Sequence, residues 1–156
     1  MTIEHRATRL IDQRPEVVHA RLLELAERLR HELPPVEPGT QAASVLGVSG
    51  PLDVEVVSRG PERIELRTTQ GRIRGEAAAD LVGTPDGKTA LTLEMTVNPL
   101  GFAANMMLGV ALRTMPGIEQ RVVEGVEAAL DDLATELAKP DGEWNAAAWT
   151  PPGLTR

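Results

Sequence analysis

The chain has 156 residues, 42% of them hydrophobic and 25% charged, the proportions of one globular domain whose core needs no covalent staples. A net charge of −7 leaves no basic stripe to displace counterions from nucleic-acid phosphates, and it opposes docking on an anionic membrane surface. The absence of cysteine excludes disulfides, thiolate catalysis and cysteine-ligated zinc, and the absence of tyrosine removes a favoured group for orienting polar ligands.

Residues 3–11 alternate loosely and read as a first strand with Ile3, Ala7 and Ile11 on one face; His5 and Arg9 share that parity. Asp12-Gln13-Arg14-Pro15-Glu16 is a helix start, with proline at the first helical position and an acid in the first turn. The helix, 15 to about 32, places Val18, Leu22, Leu25 and Leu29 on one side. On the other, Glu24 with Arg28 and Glu27 with His31 form i,i+4 pairs, and His19 and His31 lie on outer, solvated faces. Pro34-Pro35 ends it, and 34–39 is a loop.

Five strand-like segments follow. Residues 42–48 are the first. In 52–58, Leu52, Val54 and Val56 point inward; after a turn at 59–62, Ile64, Leu66 and Thr68 oppose Arg63, Glu65 and Arg67. In 72–82, Ile73, Gly75, Ala77, Ala79 and Leu81 share a face opposite Arg72, Arg74, Glu76 and Asp80. Residues 84–88 carry strong hairpin-turn punctuation, and 89–97 set Leu91, Leu93, Met95 and Val97 inward. Period-two patterning with one apolar face predicts an antiparallel sheet.

The last long helix spans roughly 102–138. Ile118, Val122, Val126, Leu130, Leu133 and Leu137 form its stripe, while Asp131-Asp132 with Glu136 make a charged, solvated outer face. Pro116-Gly117 bends it, and the preceding 99–112 segment is apolar almost all round, interrupted by Asn105. That run is about 14 residues, short of the roughly 20 a membrane span needs. The start of the chain, with Glu4, His5 and Arg6, has no basic region followed by an apolar run, so a cytoplasmic location is expected. One domain, 1–138, is followed by a tail, 139–156, carrying Pro140, Gly142, Trp144, Trp149, Pro151, Pro152 and Gly153.

A strand and helix, then a meander of strands and a long final helix, make an α+β fold. Ile11-Asp12 followed by Arg14-Pro15-Glu16-Val17-Val18 resembles the start of the polyketide cyclase/START-related superfamily (SRPBCC, the Bet v 1-like helix-grip fold). Gly71-Arg72-Ile73-Arg74-Gly75, Gly87-Lys88-Thr89-Ala90-Leu91 and Asn98-Pro99-Leu100-Gly101 resemble its final strands and their entry into the last helix. The resemblance covers residues 3–138 as an order of elements. It implies a curved antiparallel sheet, here of six to seven strands, wrapped around a long C-terminal helix with a hydrophobic cavity between them. Members bind or transport lipids, sterols or polyketides, and some catalyse aromatisation or cyclisation. Where the family usually has two short helices after the first strand, this chain reads as one.

Gly75, Ala77 and Ala79 are small residues at inward positions: they either let a helix pack closely or leave a cavity. Met106, Met107 and Met115 flank the bend, as core or as pocket lining. A helix segment apolar on every side must be covered on more than one face, by the sheet and then by a ligand, a second subunit or the Trp144/Trp149 tail. The candidate cavity set is His5, Arg9, Leu66, Ile73, Gly75, Ala77, Leu91, Leu93, Met95, Phe102, Met106 and Val110. His5 and Arg9 are its polar members, able to orient a ligand carboxylate or carbonyl. No histidine pair has metal-ligand spacing, no glycine run cradles a phosphate, and no cofactor is expected. The first functional expectation is a carrier of a hydrophobic small molecule. The second is a cyclase or aromatase using His5 and Arg9; the third is an interaction module, or homodimer, using residues 99–115.

Overall fold

In the computed structural model of the chain, the described residues are 3–32, 53–70, 73–99 and 117–149. They form β1 (Ile3–Ile11), α1 (Pro15–Glu32), β2 (Asp53–Ser58), β3 (Arg63–Gln70), β4 (Ile73–Gly83), β5 (Thr89–Pro99) and α2 (Ile118–Leu137). The α+β class stands. The sheet is antiparallel throughout, in the order β1-β5-β4-β3-β2. Strands β2 to β5 are a meander, and β1 closes the order by pairing with β5, as in Ala7 opposite Leu93.

Six to seven strands were expected, and the described residues hold five. The strand expected at 42–48 lies outside the described residues, as do Phe102, Met106, Val110 and the whole 99–115 segment beyond Pro99. The final helix also differs from one continuous bent rod. Gly117, at its N-cap, adopts φ +84°, a left-handed conformation outside the helical region, so α2 begins afresh at Ile118. No helix among the described residues is long and apolar enough to cross a membrane.

The alternation read from the sequence sets two distinct faces. Register places Ala7, Leu93, Ala79 and Ile64 in one row across four strands, and Ile11, Leu91 and Leu81 lie beyond it on the same inner face. Val18 and Leu25 of α1 and Leu130 and Leu137 of α2 pack on that face, with Leu22, Leu93 and Leu133 around them. Ile11, Leu91, Leu130 and Leu137 are fully buried.

Turn chemistry fixes the β4–β5 connection. Thr84 N–H donates to Lys88 O at 2.9 Å, and Gly87, at φ +81°, reverses the chain. The Thr84 hydroxyl donates to Asp86 and accepts from Lys88 N–H, and its bond holds the Asp86 carboxyl below the usual carboxylate range.

The described stretch of the tail, 139–149, packs into the core. Ala146 and Trp149 are buried in the central cluster, and Trp144 packs against it. Arg21 explains how. It lies three residues after Val18 and four before Leu25, on the apolar side of α1, and is only 4% exposed. Its guanidinium donates to the Leu137 carbonyl at 2.9 Å, left without an intrahelical partner at the end of α2, and to the carbonyl of Lys139 just beyond it. It also pairs with Asp141 at 2.9 Å and stacks on the Trp144 ring. Glu24 and Arg28, the expected i,i+4 pair, both reach this tail: Glu24 accepts from Trp144 Nε1–H at 2.9 Å, and Arg28 donates to the Ala146 carbonyl.

Candidate functional site

β1 places His5 and Arg9 four residues apart, both on the inner face, where α2 crosses the strand. Glu127 and Asp131 stand one helical turn apart on α2, each next in sequence to a member of its apolar stripe, Val126 and Leu130. His5 Nε2–H donates to Glu127 Oε1 at 2.7 Å. Arg9 donates through Nη2 to Glu127 Oε2 and through Nε to Asp131 Oδ1 at 2.6 Å. One carboxylate therefore bridges the two basic side chains, and a second holds the guanidinium from the side.

The electrostatic consequences follow from those bonds. Hydrogen bonds from Arg9, then from His5, favour the ionised carboxylate and hold Glu127 below the usual glutamate range. Asp131, then Glu127, push the Arg9 guanidinium above its already high value. Asp131 is exposed, as expected of a solvated charge, and also pairs with Arg9; Glu136, expected on the same outer face, accepts from Lys139 Nζ at 2.7 Å. His19, expected on a solvated face, is half-buried, with Nε2 3.3 Å from the Ser58 hydroxyl.

Register brings much of the candidate cavity set into adjoining rows. His5 faces Met95, Met95 faces Ala77, Ala77 faces Leu66, and Leu66 faces Val56, a single row across all five strands. Every member of that row is half-buried. Leu93 lies one row toward the core and Gly75 one row away from it, while Leu91 is fully buried in the core cluster. Ile73 starts β4 beyond Gly75. Gly75 has a local reason to be glycine: a Cβ there would sit 2.6 Å from Thr68 Oγ1 on the neighbouring strand.

The outer face carries ion pairs beside an apolar row in which exposed Leu10 and Val82 flank Ala90. Arg63 forks onto both Asp80 oxygens at 2.8 and 2.9 Å and donates to Glu65 at 3.1 Å, and Arg6 pairs with Glu94 at 3.1 Å. A hollow of about 450 Å³ is lined by Glu4, His5, Arg6, Glu94, Met95 and Thr96, and one of about 230 Å³ by charged residues of β3 to β5 together with Leu66, Ala77 and Ala78, so both take in members of the candidate row as well as these charges. Among the described residues no group of three or more His, Asp or Glu is arranged to hold a metal ion.

Glu127 and Arg21 went unread in the sequence. A signal exists for each: Arg21 sits on its helix's apolar stripe, and Glu127 borders one. Neither signal names the partner, which comes from another element.

No protein-family model matches the chain, and no curated protein does. Solved structures do. A conserved protein from Geobacillus kaustophilus superposes with a TM-score of 0.54 at 14% identity, covering 86% of this chain and 95% of that one. The di-domain ARO/CYC protein StfQ from the steffimycin biosynthetic pathway gives 0.52 at 12% identity over 89% of this chain and 50% of its own. The di-domain ARO/CYC protein BexL from the BE-7585A biosynthetic pathway gives 0.51 at 18% identity, over 92% and 51%. This chain thus spans about half of each di-domain protein. At these identities the likeness is one of fold: the chain shares with these proteins an α+β architecture, in which an antiparallel sheet carries a C-terminal helix packed against its inner face.

Proposed function

We propose that the chain binds a hydrophobic small molecule, lipid- or polyketide-like, on the inner face of its sheet, over the row His5, Met95, Ala77 and Leu66. The observation that carries this reading is the contrast between neighbouring rows. Ala79, Leu81, Leu91 and Ile11 are buried under helix side chains, whereas the next row out is apolar, includes a small alanine and is half-buried. A half-buried apolar row beside a packed core is what an apolar guest would cover, with affinity drawn mainly from burial. The fold shared with two ARO/CYC proteins supports a cavity-forming architecture.

The test is a fluorescence titration with the neutral probe N-phenyl-1-naphthylamine. Uptake by the wild type should be saturable, and Ala77→Phe, which fills the row, should weaken it at least tenfold without lowering thermal stability. No saturable uptake would end the reading.

A second reading is an aromatase or cyclase. The His5–Glu127 hydrogen bond favours it, since a carboxylate orienting an imidazole is a common general-base arrangement. Turnover of a poly-β-keto substrate, lost in His5→Ala with binding retained, would establish it.

A further inference from the structure

We infer that the guest is uncharged, and that Glu127 and Asp131 enforce this selection; the inference rests on the binding reading above and deepens it.

Among the described residues of the sheet's inner face, His5 and Arg9 are the side chains able to carry positive charge. Left free, a guanidinium beside an apolar floor would be a strong carboxylate anchor, since Arg and carboxylate pair through charge-assisted, bidentate hydrogen bonds. The structure commits that fork elsewhere. Nε goes to Asp131 and Nη2 to Glu127, and Nη1 donates to the Thr8 carbonyl at 3.0 Å. His5 Nε2–H is held by the same Glu127. One guanidinium faces two carboxylates, so Arg9, Glu127 and Asp131 together are net negative.

A guest carboxylate approaching the His5 end of the row would have to displace Glu127 from two donors or lie beside it as a like charge. Both are unfavourable in a partly desolvated place. A ketone, ester or hydroxyl brings no charge and meets neither penalty. Arg21, a basic side chain buried beside the core, is likewise committed, to two carbonyls and Asp141. The ligand class is therefore a neutral, oxygen-bearing apolar molecule, and a fatty acid or other free carboxylate is disfavoured.

Displacement of bound N-phenyl-1-naphthylamine at pH 7.5 tests this with two competitors of the same skeleton, methyl 2-naphthoate and 2-naphthoate. Any apolar site prefers the ester somewhat, so the deciding comparison is between proteins. In Glu127→Gln/Asp131→Asn the Arg9 fork loses both anionic partners, and 2-naphthoate should gain at least tenfold in affinity while the ester changes much less. If the double variant fails to fold, Asp131→Asn alone, at an exposed position, should still raise 2-naphthoate affinity about threefold. An unchanged 2-naphthoate affinity in the folded variants, or wild type binding the acid as tightly as the ester, overturns the inference. Failure of the wild type to bind the probe at all would instead overturn the binding reading beneath it.

Discussion

The Arg21 guanidinium lies 4.9 Å from the centroid of the Trp144 ring, and through this contact the tail becomes part of the domain. The same guanidinium closes the C-terminal end of α2 through the Leu137 and Lys139 carbonyls. Helix α1, helix α2 and the tail thus converge on one buried side chain.

Arg21→Ala should lower stability by about 3 kcal/mol, because carbonyls lose a charged donor and a buried side chain is removed. Arg21→Lys should recover little, since an ammonium on a flexible stem cannot reproduce the planar fork or its stacking. Urea denaturation read by far-UV circular dichroism measures both.

Trp149 offers a contrast. Its ring is buried, and its Nε1–H has no hydrogen-bond partner among the described residues. Trp149→Phe removes the unsatisfied donor while keeping most of the apolar body, so its stability should fall within about 1 kcal/mol of wild type. Trp149→Ala should cost about 3–5 kcal/mol, the usual range for deleting a buried aromatic. Thermal melts of the two variants side by side give the comparison.

The Glu127 bridge predicts a specific acid response. Its carboxyl is held below the ordinary glutamate range by Arg9 and His5. A depressed carboxylate contributes stability that is complete above its unfolded-state pKa and is lost as pH falls through its lowered folded value. Glu127→Gln should therefore be less stable than wild type at pH 7, with the difference shrinking as the pH is taken down through about 4 and below. A pH series of melting temperatures reads this directly. A difference that stays constant across the series would mean the carboxylate's charge is not what Arg9 and His5 recognise.

Gly75 predicts a coupled pair. Gly75→Ala places a Cβ 2.6 Å from Thr68 Oγ1, forcing the threonine to rotate and give up its 3.4 Å contact with the Gly75 carbonyl. We expect a cost of about 1 kcal/mol, of the order of an off-rotamer side chain or one lost hydrogen bond. In a Thr68→Ala background the same change should be neutral, and a double-mutant cycle measures the coupling.

What could be read from the sequence alone was whatever depends on local periodicity. Alternation in β1, β3, β4 and β5 assigned Ala7, Leu66, Ala77 and Leu91 to one face, and the register bears this out. Proline at 15 and the glycine at 87 marked a helix start and a hairpin. Pairings between distant elements were not legible. Glu127 and Asp131 look like ordinary surface acids until β1 is laid beside α2, and Arg21 looks like an error on an apolar stripe until α2 ends above it. Glu24 and Arg28 satisfy the local i,i+4 rule, yet the tail offers each a partner from a distant part of the chain. Local spacing yields candidate pairs, and the tertiary arrangement chooses among them.

The Met95 methyl group reports where the guest sits. With methionine methyls labelled with carbon-13 and the Met95 signal assigned through Met95→Leu, added N-phenyl-1-naphthylamine should shift that signal in a saturable way. Ala77→Phe should abolish the shift. A probe that binds while the Met95 methyl stays still would place the guest away from the His5–Leu66 row.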